Sequence, residues 1–198
     1  TVSKLATNYL GLSVEDADAA ACAEALWHLR PVLSGELEKN GMERLYREIE
    51  FPLCRVLYRM ENRGICIDRE QLRQFGDMLS RRITDCETLI FSYSGGEFNI
   101  NSTKQLGSIL FERLGLPPIK KTKTGYSTNA EVLEKLKNKH PIVPAIMDYR
   151  MLTKLKSTYA DGLMKEIRED GRIHTTFQNL VTATGRLSST EPNLQNIP

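Results

Sequence analysis

The sequence predicts a mainly α fold, long antiparallel helices followed by a short C-terminal β-ribbon, and three observations lead there. Apolar residues recur with the 3.6-residue period of amphipathic helices over most of the stretch from Ser13 to Ile167. Ser, Thr or Asp with Glu or Gln three residues on precedes several of those windows, the pattern of a helix N-cap. From Gly171 the period falls to 2 and Thr, Ile, Val and Phe become frequent, as in strands.

In chain order, the first helix is expected from Ser13 to Leu33, with Ala19, Cys22, Ala23, Leu26, Trp27 and Leu29 giving its apolar spacing and Ser13-Val-Glu-Asp16 a capping box. Pro31 and Ser34-Gly35 loosen the chain, so a domain boundary is expected between residues 31 and 42. A second helix is expected from Met42 to Asn62, with Ile49, Leu53, Val56, Leu57 and Met60 on one face and Pro52 starting or kinking part of it. Ile65-Cys-Ile67 reads as extended. Asp68, with Gln71 three residues on, caps a third helix that continues to about Phe91 and stops at Ser94-Gly-Gly96. Ser102 and Gln105 cap a short helix from Thr103 to Leu114. Pro117-Pro118, Lys120-Lys121-Thr-Lys123 and Gly125 form an irregular polar tip. Thr128 to Glu131 reads as a capping box for a helix to about Lys139, and Pro141 or Pro144 opens a long helix to about Ile167. Arg172 to Gln178 and Thr182 to Ser188 are the two expected strands of the ribbon, joined by a short turn.

Composition narrows the class only a little. The 198 residues are 40% apolar and 26% charged, an ordinary soluble chain of one or two domains. No apolar run approaches the roughly 20 residues of a membrane span, and no signal segment opens the chain, so the expected address is cytoplasmic. Cys22, Cys54, Cys66 and Cys86 lack metal-site or disulfide spacing and are expected to be free thiols, mostly in the core. A start at Thr1 and an end at Pro198 suggest an excised fragment. The net charge of +2 is unevenly divided: residues 1–100 hold 12 Lys and Arg against 16 Asp and Glu, residues 101–198 hold 15 against 9. The second half is therefore the half expected to face a polyanion.

Several residue groups fit that partner. At 100° per residue, Arg150, Lys154 and Ser157 fall within about 60° of one another on the long helix, opposite Leu152, Leu155, Tyr159 and Leu163. Two cations one turn apart can neutralise successive phosphates, though periodicity alone favours a solvated face. In Asn99-Ile-Asn-Ser-Thr-Lys-Gln-Leu106, a helix N-terminus joins its free N–H groups to donors on Ser102, Thr103 and Lys104. Lys120, Lys121 and Lys123 beside Gly125 would suit a tip that follows phosphates. Arg186, Asn193, Gln195 and Asn196 form a run of donors with few large apolar residues among them. Donors of this kind can test base-pair geometry in the minor groove, where every pair presents purine N3 and pyrimidine O2 acceptors. Read by themselves, these groups leave open a stand-alone helical duplex-DNA-binding module without catalytic activity. His28, His140 and His174 share no motif.

The closing block, Thr182-Ala-Thr-Gly-Arg-Leu-Ser-Ser-Thr-Glu-Pro-Asn-Leu-Gln-Asn-Ile-Pro198, resembles the first signature of the family A DNA polymerases. Met60-Glu-Asn-Arg-Gly-Ile-Cys-Ile-Asp68, Asn99 to Leu106 and Asp148 to Tyr159 are similar to the same family, so the resemblance covers most of the chain. It implies a large-fragment segment from a bacterial enzyme: residues 1–40 the end of a 3′ to 5′ exonuclease-like domain, 41–168 the thumb, and 169–198 the start of a truncated palm. It implies that basic residues of the long helix lie along primer-template duplex DNA and that Arg186 reaches the minor groove at the primer terminus. Asn193, Gln195 and Asn196 would lie near the template and terminal pairs. The parent would act in replication and repair as a monomeric, nucleoid-associated nucleotidyltransferase, with two Mg²⁺ ions and dNTP held by residues outside this chain. In the exonuclease-like part Asp16 matches a metal-binding aspartate, but Leu12 stands where the family has a tyrosine, and Tyr9 is out of register. One carboxylate cannot assemble a two-metal hydrolytic site, so Asp16 is expected to serve only the capping box.

Overall fold

The computed structural model describes residues 1–122 and 125–197, which leaves Lys123 outside the described residues and gives no side-chain placement for Lys121. The chain forms two compact units, Thr1–Arg63 and Gly64–Pro198.

In the first unit, α1 (Val2–Leu10) is capped by Thr1 and ended by Gly11, whose φ of 66° favours glycine. Helix α2 (Ala19–Lys39) starts later than expected. Its cap is Asp18, whose carboxylate accepts from the Ala21 amide at 3.0 Å. The expected capping box at Ser13 does not form, because Asp16 Oδ1 accepts instead from the Ser3 amide at 2.9 Å. The helix also runs through Pro31, Ser34 and Gly35: the proline withholds one hydrogen bond and the helix continues on the bonds either side. Small Ala6 and Ala25, with Leu29, are the buried positions where α1 packs on α2. Helix α3 (Glu43–Leu45) passes through a wider π turn, Tyr46–Glu50, into α4 (Phe51–Arg63). In that turn the Phe51 amide bonds the Tyr46 carbonyl, just before Pro52, which has no N–H to give. Of the expected apolar face only Leu57 is buried; Ile49 and Val56 are about half exposed.

The second unit begins with β1 (Ile65–Cys66) and α5 (Arg69–Ser94). Asp68 caps α5 by accepting from the Glu70 and Gln71 amides, both at 3.0 Å, while Gln71 Nε2 reaches back to its carboxylate. Then follow α6 (Thr103–Gly107), a π turn (Ser108–Arg113), β2 (Lys121–Thr122), β3 (Gly125–Tyr126) and α7 (Ala130–Leu136). Helix α8 (Ile142–Leu155) continues through a π turn (Lys156–Ala160) into α9 (Asp161–Glu166). Helix α5 and this long helix run antiparallel. Ile90 shares a core with Ile142 and Ile146, whereas fifteen or so residues earlier Gly76 faces Ala160, and Leu79 packs with Leu152 and Ala160. At the far end Arg69 donates to the carbonyls of Ile167 and Arg168 at 3.4 and 3.1 Å. Leu79, Ile90, Ile146 and Leu152 are at most 2% exposed, and each such side chain contributes about 1.5–3 kcal/mol by leaving water.

Helix α7 is capped by Asn129, which accepts from the Val132 amide at 3.0 Å, not by Thr128. Lys121 and Thr122, expected to be irregular, pair antiparallel with Tyr126 and Gly125. The C-terminal ribbon differs most. Strand β4 (Arg172–Ile173) pairs antiparallel with β1, Ile173 opposite Ile65, and only β5 (Thr176–Gln178) pairs with β6 (Ser188–Thr190). Residues 182–187, expected as a strand, instead close a turn. Thr182 Oγ1 donates to the Arg186 carbonyl at 2.5 Å, and Gly185 takes a φ of 71°. A threonine hydroxyl bonding its own backbone competes with a strand ladder.

None of the four cysteines is in a disulfide, and they are not mostly in the core: Cys54 and Cys66 are exposed and Cys22 half-buried, while half-buried Cys86 packs against the core. Desolvation, helped by the Asp148 charge, pushes the Cys86 thiol up. Among the described residues no helix is long and apolar enough to cross a membrane.

Candidate nucleic-acid interface

An open cleft of about 930 Å³ lies in the second unit, where the start of α6, the strand β3 with the turn after it, and α8 meet. Each element contributes through its own local chemistry. Asn99 Oδ1 accepts from the Asn101 amide, and Gln105 Oε1 from the Asn99 amide, which fixes the loop before α6. Ser102 Oγ accepts from the Gln105 amide at 3.4 Å and so acts as the cap itself. That leaves Thr103 and Lys104 exposed on the cleft wall. Asn101 Nδ2 donates to the Tyr149 hydroxyl at 3.2 Å, anchoring the loop to α8.

Arg150 stands across from them, half-buried. Its guanidinium donates to the Thr128 carbonyl, and through Nη2 to the Thr128 hydroxyl at 3.2 Å. Desolvation holds it below the ordinary arginine value. Arg150 is thus not on a freely solvated face with Lys154: it is part of the cleft wall, because the 127–129 turn packs over it. Lys154, one turn on, is exposed, and Ser157 gives its hydroxyl to the Lys154 carbonyl. One anion shares the cleft, Glu112, which accepts from Ser108 at 2.5 Å. Lys120 is exposed, and its carbonyl accepts from the Ser127 amide at 2.9 Å. The structure therefore gathers Thr103, Lys104 and Arg150 in one cleft, with Ser102 behind them as cap. Lys154 and Lys120 are outside its lining.

The donors of the closing block occupy a second place, the loops flanking β6. Arg186, Asn193, Gln195 and Asn196 are all exposed. Asn193 Oδ1 accepts from the Gln195 amide at 3.0 Å, a local turn. The Asn196 carbonyl accepts from the Tyr159 hydroxyl, so this loop is seated on the long helix. Beneath it are two buried hydroxyls that the sequence pattern did not single out, Thr175 and Ser189, 2.7 Å apart. In sequence they are ordinary strand formers, and no local signal marks them.

Two of the histidines serve structure. His140 Nδ1 accepts from the Ile142 amide at 3.1 Å at the start of α8, His174 Nε2 lies 2.9 Å from Asp170, and His28 is exposed. The His174 hydrogen bond is the main cause holding the Asp170 carboxyl below its ordinary value. Among the described residues no three His, Cys, Asp or Glu side chains are grouped to hold a metal ion.

Residues 69–198 match DNA polymerase family A. The chain is 51% identical over 177 residues to DNA polymerase I of Bacillus subtilis (strain 168), covering 89% of this chain and 20% of that protein. It is 55% identical over 163 residues to DNA polymerase I of Caldicellulosiruptor bescii, covering 82% and 19%. It therefore spans about a fifth of the length of these relatives. The solved POL domain of Pol1 from M. smegmatis, in complex with DNA primer-template and dNTP, superposes with a TM-score of 0.85 at 41% identity, over 100% of this chain and 35% of that one. On the match across 69–198, this chain belongs to DNA polymerase family A.

Proposed function

We propose that this chain is the part of a DNA-directed DNA polymerase that grips the primer-template duplex and contacts its minor groove near the primer terminus. Residues 41–168 act as the thumb, 169–198 as the opening of the palm, and 1–40 as the end of an exonuclease-like domain without hydrolytic function. The observation that carries this reading is the convergence of Thr103, Lys104 and Arg150 on one open cleft. Hydroxyl, ammonium and guanidinium donors on rigid helices suit phosphate oxygens, and such contacts fix a duplex without reading its sequence. Lys154 and Lys120 extend the cationic surface beyond the cleft. The exposed Arg186, Asn193, Gln195 and Asn196 supply donors for the minor groove, where the acceptor pattern is nearly the same for all pairs. That property suits an enzyme that must accept every correct pair.

The parent's reaction is template-directed, Mg²⁺-dependent nucleotidyl transfer in replication and repair. The two ions and the dNTP belong to other parts of the parent. A monomeric, cytoplasmic, nucleoid-associated enzyme is the setting that fits this role.

The test is binding of a labelled primer-template and of the matching single strand over a salt series. Preference for the duplex, with log K falling linearly against log salt, is expected. Affinity that is unchanged between low and high salt, or a preference for the single strand, would overturn the reading.

A further inference from the structure

Thr175 and Ser189 are both 5% exposed, and their hydroxyls hold more of the chain in place than their own strands. Thr175 Oγ1 lies 2.7 Å from Ser189 Oγ, 2.7 Å from the Pro192 carbonyl oxygen and 3.0 Å from that of Thr190. Ser189 Oγ lies 3.1 Å from the Leu194 nitrogen and 3.2 Å from the Pro192 carbonyl oxygen. Each hydroxyl has one proton to give, and the carbonyls can only accept. One assignment uses every proton at a short distance: the Leu194 amide donates to Ser189 Oγ, the Ser189 hydroxyl to Thr175 Oγ1, and the Thr175 hydroxyl to the Pro192 carbonyl. The relay begins and ends on the same loop, on the two residues either side of Asn193.

We propose that Thr175 and Ser189 are positioning residues, a buried hydroxyl relay that sets the 190–196 loop so that Asn193, Gln195 and Asn196 meet the terminal base pairs in one defined geometry. The inference rests on the reading that this loop faces the duplex. What the relay holds is an exposed polar loop, pinned at 192 and 194 from below and at 196 by Tyr159. A surface that compares one pair geometry with another needs its donors fixed to about 0.5 Å. Buried hydroxyls can do this where apolar packing cannot, since a hydrogen bond restricts direction as well as distance.

The experiment uses the polymerase that contains this segment, with Thr175→Val, Thr175→Ser and Ser189→Ala. Thr175→Val removes the last donor of the relay at nearly constant shape. It is expected to lower kcat for extending a matched terminus about tenfold, as loss of a buried hydrogen bond implies. The ratio of matched to mismatched extension should narrow while Kd for primer-template stays within about twofold, since no contact to the duplex is removed. Amide exchange at Leu194 should quicken about tenfold as the loop opens locally. Thr175→Ser, which keeps the hydroxyl, should restore both, and Ser189→Ala should behave like Thr175→Val. The inference is overturned if Thr175→Val extends primers as wild type does, if its loss lies in duplex affinity, or if Thr175→Ser is equally damaged. If Thr175→Val does not fold, Ser189→Ala against Thr175→Ser gives the same comparison. Failure of the wild-type polymerase to extend a primer sinks the polymerase reading instead, and exchange at Leu194 then still tests the relay.

Discussion

Arg150 and Thr128 are joined twice, the guanidinium giving one hydrogen bond to the threonine carbonyl and one to its hydroxyl, which makes a cation of the long helix a strut for the 127–129 turn. Arg150→Ala removes both donors and leaves buried Thr128, 4% exposed, with acceptors unmet. A loss of about 1–3 kcal/mol in stability is expected, together with weaker duplex binding. Arg150→Lys keeps the charge but not the planar fork, so it should recover part of the binding and little of the stability. Denaturant unfolding measures the first effect and a salt-series titration the second. Unchanged stability in Arg150→Ala would show that the two bonds do not hold the turn.

Lys154 provides the contrast, because it is exposed and its ammonium holds no described turn in place. Lys154→Ala should shift stability by no more than about 0.5 kcal/mol. On binding it should flatten the plot of log K against log salt by about one unit, to the same degree for every duplex sequence. A loss confined to particular sequences would count against a phosphate contact at this position.

How far these sites are legible in the sequence depends on how local their causes are. Helix α5 is legible because Asp68, Gln71 and Gly95 act within one turn of the ends they mark. The start of the long helix is legible only as Pro141 or Pro144, and it is Pro141 that stands before its first residue, Ile142. The capping boxes at Ser13 and Thr128 mislead because the pattern is satisfied by more than one register. Asp18 and Asn129 stand immediately before the helices, and Thr128 is drawn to Arg150 by burial that no local pattern announces. Strand β4 misleads more deeply, since the partner of Ile173 is Ile65, over a hundred residues away. Periodicity places Arg150 by angle about its own helix, but not the turn that covers it. Of the closing block, the donors are legible as residue types, while the hydroxyls beneath them look like any strand residue.

Glu70, in the first turn of α5, gives a pH dependence of known sign. Arg73 donates to both of its oxygens, at 2.7 and 3.0 Å, and Gln74 adds a bond at 2.8 Å. Chiefly through Arg73, the carboxyl is held down from 4.5 to about 2. A folded-state value below the unfolded one means that the stabilisation is complete above pH 4.5 and is lost as pH falls through about 2. The group is at the surface, so salt screens the effect and its size is small. Glu70→Gln should lower the unfolding midpoint slightly near neutrality, match wild type below about pH 2, and so show a shallower fall between pH 4.5 and 2. Parallel acid limbs in the two proteins would show that the Arg73 contact does not persist in solution.

Gly64 tests the packing under the β1–β4 pair. Its φ of +64° lies in the left-handed region, and a Cβ there would fall 2.8 Å from His174 Cε1 and 2.9 Å from both His174 Nε2 and the Ile173 carbonyl oxygen. Retreat is difficult for these neighbours. The His174 side chain is 13% exposed and held by Asp170, and Ile173 is fully buried and paired with Ile65. Gly64→Ala combines a left-handed alanine, about 1–2 kcal/mol, with that clash, so a loss of at least about 2 kcal/mol is expected. The two contributions separate in a double-mutant cycle with His174→Ala, read as unfolding free energies. Removing the ring relieves its share of the clash but leaves the backbone strain and the Ile173 carbonyl in place. The double mutant should therefore be more stable than the two single losses add up to, yet less stable than His174→Ala alone. Strict additivity would mean that the ring already moves aside, and that Gly64 is required for its backbone angle and the carbonyl contact.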